Sequence, residues 1–138
     1  MTRKTNKMIT IGLALLFVLT FFMPSLQGPM GIKLNGFSVF GANMATAVFV
    51  EGAQDYLMFL FTALTNVWVL LLLIWSVRSN VKVIPTVVLS LLAITSAFSW
   101  SFNIQGEGVL LMGYWLWIIS ILLIIGFTIY RSIRKPAI

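Results

Sequence analysis

Glu51, Asp55 and Glu107 are the three carboxylates of a 138-residue chain, and Lys33 is the cation nearest to them in the two segments they occupy. Acid–base chemistry needs two titratable groups in environments that drive their pKa values apart, or a nucleophile beside a base. Cysteine and histidine are absent. That excludes a thiolate, an imidazole base, a disulfide and the usual zinc site. No Gly-rich phosphate loop and no paired carboxylates occur either. Enzymatic work would rest on Lys33, Glu51, Asp55 and Glu107 alone, so the chain is expected to be non-enzymatic, with no catalytic, cofactor or metal site. Glu51 and Asp55 are instead placed to favour the positive N-terminal end of a following helix.

A second group of polar side chains lies inside apolar runs: Asn66, with Thr62 and Thr65 close by, and Ser90, Thr95 and Ser96 further along. A carboxamide surrounded by lipid has to find a protein partner. Hydrogen bonding between helices is the expected use of Asn66, Ser90, Thr95 and Ser96; the alternative is a polar lining for a solute path. Thr86, Ser90, Ala93, Ala97 and Ser101 recur at spacings of four, three, four and four residues. On a helix they form one face of small side chains that lets a neighbour approach closely.

The elements that carry these residues follow from composition. Sixty per cent of the chain is hydrophobic and nine per cent is charged, against roughly a quarter charged in soluble domains. Lipid is the solvent such a chain suits. Four apolar runs predict helices over residues 5–23, 56–77, 83–102 and 109–130, the first an uncleaved anchor rather than a signal peptide. None of the last three holds a charged side chain. Charge sets their direction. Eight of the nine Lys and Arg residues fall at the N-terminus, in the short Arg78–Lys82 loop or at the C-terminus, while all three acids fall in the other two loops. Only Lys33 breaks the partition. By the positive-inside rule both termini are cytoplasmic, and a net charge of +6 reads as membrane orientation rather than nucleic-acid binding. Tyr56, Trp100, Phe102, Tyr114, Trp115 and Trp117 then gather at outer helix ends, and Trp75 and Tyr130 at inner ends, as an interfacial aromatic belt does.

The long outer loop, residues 24–55, carries the one local structural signal. Around Asn35-Gly36, the segment Ile32, Lys33, Leu34, Asn35, Gly36, Phe37, Ser38 and Val39 alternates apolar and polar. Asn-Gly favours a type I′ turn, which predicts a hairpin pairing Leu34 with Phe37 and Ile32 with Val39. These eight residues are the candidate interaction element. Phe40–Val50 is too short for a fifth span and is expected to lie on the membrane surface or cap the helices.

The expected fold is an all-α membrane protein: one domain, residues 1–138, an up-down bundle of four transmembrane helices with a small β-hairpin outside. The expected function is that of a non-enzymatic integral membrane protein of the plasma membrane, best suited to a bacterial inner membrane. It acts through a membrane or envelope protein partner or through self-association, as an accessory, scaffold or immunity-type subunit. The alternative is an oligomeric channel or facilitator lined by Asn66 and the Ser/Thr face of the third helix.

Overall fold

A computed structural model describes residues 3–27, 31–41, 57, 60–61, 63–78, 81–103 and 109–133. The chain is mostly helical, with a small antiparallel sheet. The principal helices are α1 (Arg3–Thr20), α2 (Thr65–Val77), α3 (Val83–Asn103) and α4 (Met112–Ile133). The strands are β1 (Pro24–Gln27), β2 (Lys33–Asn35) and β3 (Val109–Leu110).

Helix limits depart from the hydropathy reading where local chemistry intervenes. α1 ends at Thr20 rather than at residue 23. The Thr20 hydroxyl donates to the Phe17 carbonyl at 2.6 Å. The amides of Phe21, Phe22 and Met23 donate three residues back, to Val18, Leu19 and Thr20, a tightened last turn before Pro24, which has no N–H to continue the ladder. α4 starts at Met112 because Val109 and Leu110 are drawn into the sheet, and the Leu111 amide donates to the Ser25 carbonyl at 3.0 Å. Ahead of α2, residues 57, 60, 61 and 63 are helical, and Leu64 and Trp68 amides donate to the carbonyls of Leu60 and Leu64. Among the described residues α4 is the one helix both long and apolar enough to cross a membrane; α2 and the Val83–Ser99 part of α3 are apolar but shorter. Described helix length thus accounts for one of the four spans that hydropathy predicts.

α4 packs against each of the other three helices and carries β1 beside its first turn; α2 also lies along α1 and α3. Four contacts give the directions. Thr10 and Ser76 hydroxyls meet at 3.4 Å, and the Trp75 indole N–H donates to the Thr86 hydroxyl at 3.2 Å. The Tyr114 hydroxyl reaches the Ala97 carbonyl at 3.4 Å, and Arg131 Nη2 donates to the Arg78 carbonyl at 3.1 Å. The C-terminal ends of α2 and α4 therefore lie together with the start of α3, at the basic end of the molecule. The sheet closes the other end.

The interior is built from Phe17, Val69, Leu72, Ala93, Ala97, Ile121 and Ile124, interleaved with hydroxyl residues. Thr86, Ser90, Ala93 and Ala97 are all buried, so the small-residue face of α3 is its packing face. Ser76, Thr86, Ser96, Ser120 and Thr128 are buried too, each donating to a carbonyl three or four residues back in the chain. A hydroxyl in an apolar interior has to be bonded, and the preceding turn supplies the acceptor. Many large apolar side chains point the other way: Leu70, Ile74, Ile84, Leu91, Ile119 and Leu122 are among those exposed.

The sheet order is β2-β1-β3, with β1 antiparallel to both neighbours. Leu26 pairs with Leu34 on one side and with Leu110 on the other. An antiparallel pair does form after the first helix, but it is not the pair that Asn35-Gly36 predicts. Residues 36–41 are helical, and Asn35 Oδ1 accepts from the Ser38 amide at 2.9 Å. Asn35 thus caps a short helix in the manner of an N-cap residue. Leu34 faces Leu26 instead of Phe37, and Val39 is buried on the short helix instead of pairing with Ile32. Phe37 stands against Phe21 and Phe22, with ring centroids 5.3 and 5.4 Å apart, and its amide donates to the Phe21 carbonyl at 3.3 Å. Gly36 allows that approach: a Cβ there would sit 2.9 Å from the Phe21 Cα. The expected surface segment Phe40–Val50 and the carboxylates Glu51, Asp55 and Glu107 lie, apart from residues 40 and 41, outside the described residues.

Candidate functional site

A cleft of about 40 Å³ lies at the sheet end, lined by Thr20, Phe21, Ser25, Gly36, Val39, Phe40, Asn66, Tyr114 and Trp117. Its position follows from the helix register. The Thr10–Ser76 contact aligns α1 and α2 in opposite directions, so ten residues further along α1 and ten back along α2 bring Thr20 and Asn66 to one level. Tyr114 and Trp117, one turn apart on α4, share a face and close the opposite wall, their rings 5.8 Å apart. The sequence places both in an outer aromatic belt. The structure buries both, while Trp115 alone of the three is well exposed. Residues 114 and 117 are about 60° apart around a helix, while the outward Trp115 ring still meets the Tyr114 ring edge-on at 5.4 Å.

Among the described residues the cleft offers one unpartnered acceptor. Thr20 Oγ1 already donates to Phe17, and Ser25 Oγ donates to the Met23 carbonyl at 3.1 Å. Asn66 Oδ1 is buried with no hydrogen-bond partner. The site can therefore accept a hydrogen bond from a small donor between apolar walls, and at this volume it has room for a few waters. It holds no activated nucleophile and no charge.

Asn66, Ser90, Thr95 and Ser96 do not converge. Ser90 is buried on α3 with its hydroxyl unpartnered. Thr95 is exposed and donates to the Leu91 carbonyl at 2.7 Å; Ser96 turns inward and donates to the Leu92 carbonyl at 2.6 Å. Helix geometry explains the scatter, since positions 90 and 95 lie about 140° apart around the axis. Nor do residues 32–39 form one face. Ile32, Lys33, Asn35, Phe37 and Ser38 are exposed, Leu34 and Gly36 are half-buried, and Val39 points into the cleft.

At the basic end, Arg78 stacks over the Trp75 ring, its guanidinium carbon 4.8 Å from the centroid, and Arg131 is tied to the Arg78 carbonyl. Composition marks these arginines only as orientation signals; their meeting depends on the α2–α4 packing, which hydropathy does not encode. Among the described residues no group of His, Cys, Asp or Glu could hold a metal ion.

Fold and site together define a small, mostly helical protein with hydroxyls inside, large apolar side chains outside and a sheet-capped cleft. No family model, no curated protein and no solved structure matches the chain.

Proposed function

We propose that the chain is a four-span integral membrane protein, both termini cytoplasmic, that works by binding a protein partner in or on the membrane rather than by catalysis. The observation that carries this reading is the inverted polarity of the helices. Thr65, Ser76, Thr86, Ser96, Ser120 and Thr128 are fully buried, while Ile84, Ile74, Leu91, Leu70 and Leu122 face outward. In water such an exterior is an aggregation surface. In lipid it is the ordinary one, and association then relies on close packing of small residues, as along Thr86, Ser90, Ala93 and Ala97. The basic end supports a cytoplasmic face and the sheet an outer cap, in an arrangement suited to a bacterial inner membrane.

Interaction is favoured over conduction by the fate of the hydroxyls. A pore lined by the third helix needs Ser and Thr free to solvate an ion; Ser90 has no partner among the described residues, but Thr86, Thr95 and Ser96 each donate to a carbonyl four residues back, and Thr95 is exposed. The partner-facing surface is the sheet end, where Ile32 and Phe37 are more than half exposed beside Lys33 and Ser38. Affinity capture from native membranes tests this. A stoichiometric partner, lost on the double substitution Ile32→Ser with Phe37→Ser, is the expected result. Conductance of the purified chain in liposomes, abolished by Asn66→Leu, would overturn it.

A further inference from the structure

We propose that Arg78 and Arg131 together hold one phosphate group, that of an anionic phospholipid headgroup or a free phosphate, at the basic end of the molecule. Two cations from different helices are fixed close together there. Arg131 Nη2 donates to the backbone carbonyl of Arg78 at 3.1 Å, which uses one of its five donors. The Arg78 guanidinium lies on the Trp75 ring, and that ring is itself held through its N–H to Thr86, whose hydroxyl donates to the Lys82 carbonyl at 2.8 Å. The ring contact restrains the Arg78 fork, whose N–H groups have no acceptor among the described residues.

Like charges gathered at one end of a molecule repel unless an anion joins them. None of the chain's three carboxylates, Glu51, Asp55 and Glu107, is within twenty sequence positions of Arg78 or Arg131. Lys82, just before α3, adds an exposed third cation to the exposed Arg78 and half-buried Arg131. Planar guanidinium forks match phosphate oxygens two at a time, whereas lysine acts as a point charge. Basic pockets between helices at a cytoplasmic surface are the places where lipid phosphates settle. Generic attraction of basic loops to a membrane would need only the charge; this site needs arginine at two positions and a ring beneath one of them.

The test separates those requirements. The full chain, purified in an uncharged detergent, is titrated with phosphatidylglycerol or phosphatidylcholine, and bound lipid is counted by native mass spectrometry. One tightly held phosphatidylglycerol is expected, with phosphatidylcholine much weaker. Arg78→Lys and Arg131→Lys, which preserve net charge and a donor, should each weaken binding roughly tenfold. Trp75→Leu, which frees the Arg78 fork, should weaken it less, and Lys33→Gln at the far end should not change it. Circular dichroism and gel filtration confirm that the variants are folded. Inorganic phosphate added to lipid-free protein gives the source. A rise in melting temperature equal to that with phosphatidylglycerol assigns the site to phosphate itself, and no rise assigns it to the lipid; both support the site while the arginine dependence holds. Lysine variants that bind as well as the wild type, or equal retention of the two lipids, would overturn it. The membrane reading fails separately, by recovery of the chain from the aqueous fraction without detergent.

Discussion

The two ends of the molecule are closed by different chemistry. At the sheet end, backbone lies directly on backbone: β1 passes against the first turn of α4 at Gly113, and the short 36–41 helix starts against Phe21 at Gly36. At the basic end, side chains bridge the gaps, with Trp75 reaching Thr86 and Arg131 reaching the Arg78 carbonyl. Close backbone packing tolerates no added atom, whereas a bridging side chain can be shortened at the cost of one hydrogen bond. The sheet end should therefore be brittle and the basic end forgiving.

Substitution by alanine at four glycines tests the brittle half most strongly. A Cβ on Gly113 would collide with the Pro24 carbonyl and lie 2.9 Å from Ser25 Oγ. Gly113→Ala should lower stability by about 3 kcal/mol, at the upper end of overpacking costs, in reversible unfolding from mixed micelles. Gly36→Ala, meeting the Phe21 Cα at 2.9 Å, should cost about 2 kcal/mol. A Cβ on Gly12 or Gly126 would meet nothing within 4 Å, so alanine there should be neutral or add up to about 1 kcal/mol through helix propensity. Equal effects at all four positions would remove the distinction between the ends.

In the helical interior between them, Ala93 is fully buried on the α3 packing face. Ala93→Leu should cost about 2 kcal/mol by forcing the helices apart, read from the same unfolding curves. Asn35→Ala should cost about 1 kcal/mol, the value of an N-cap, and Asn35→Asp should restore most of it. If Asn35 instead formed a type I′ turn, the Asp variant would offer no such rescue beyond its turn propensity. Shortening a bridge at the forgiving end should cost no more than losing the cap. Trp75→Phe keeps a ring beneath Arg78 and removes only the bond to Thr86, so a loss near 1 kcal/mol is expected.

The helical positions were legible because hydropathy and a four-three-four spacing of small residues are one-dimensional signals, and Thr86, Ser90, Ala93 and Ala97 lie on the face they predict. The inward faces of the other helices were not. A run that is apolar all round has no polar side to mark the outside, so Tyr114 and Trp117 read the same as Trp115. The strand pairing was hidden for another reason. β1 is four residues with no alternation, and its partner β3 is more than eighty residues away. Asn-Gly serves a hairpin turn and a helix N-cap equally well, and the packing of Gly36 on Phe21 decides between them. The cleft combines three such non-local facts, and of its lining only Gly36, Val39 and Asn66 were candidate site residues in advance.

The membrane reading rests on the outward apolar belt, and the chain's lack of cysteine makes that belt directly testable. Single cysteines at Leu70, Leu91 and Leu122, each about half exposed on α2, α3 and α4, are treated in native membranes with an aqueous maleimide, alongside Lys33→Cys and Lys82→Cys. A thiol in lipid stays protonated and unreactive. The account predicts that the three belt positions resist labelling until the protein is denatured, that Lys33→Cys reacts from outside, and that Lys82→Cys reacts only after permeabilisation. Belt cysteines labelled as fast as Lys33→Cys would contradict it.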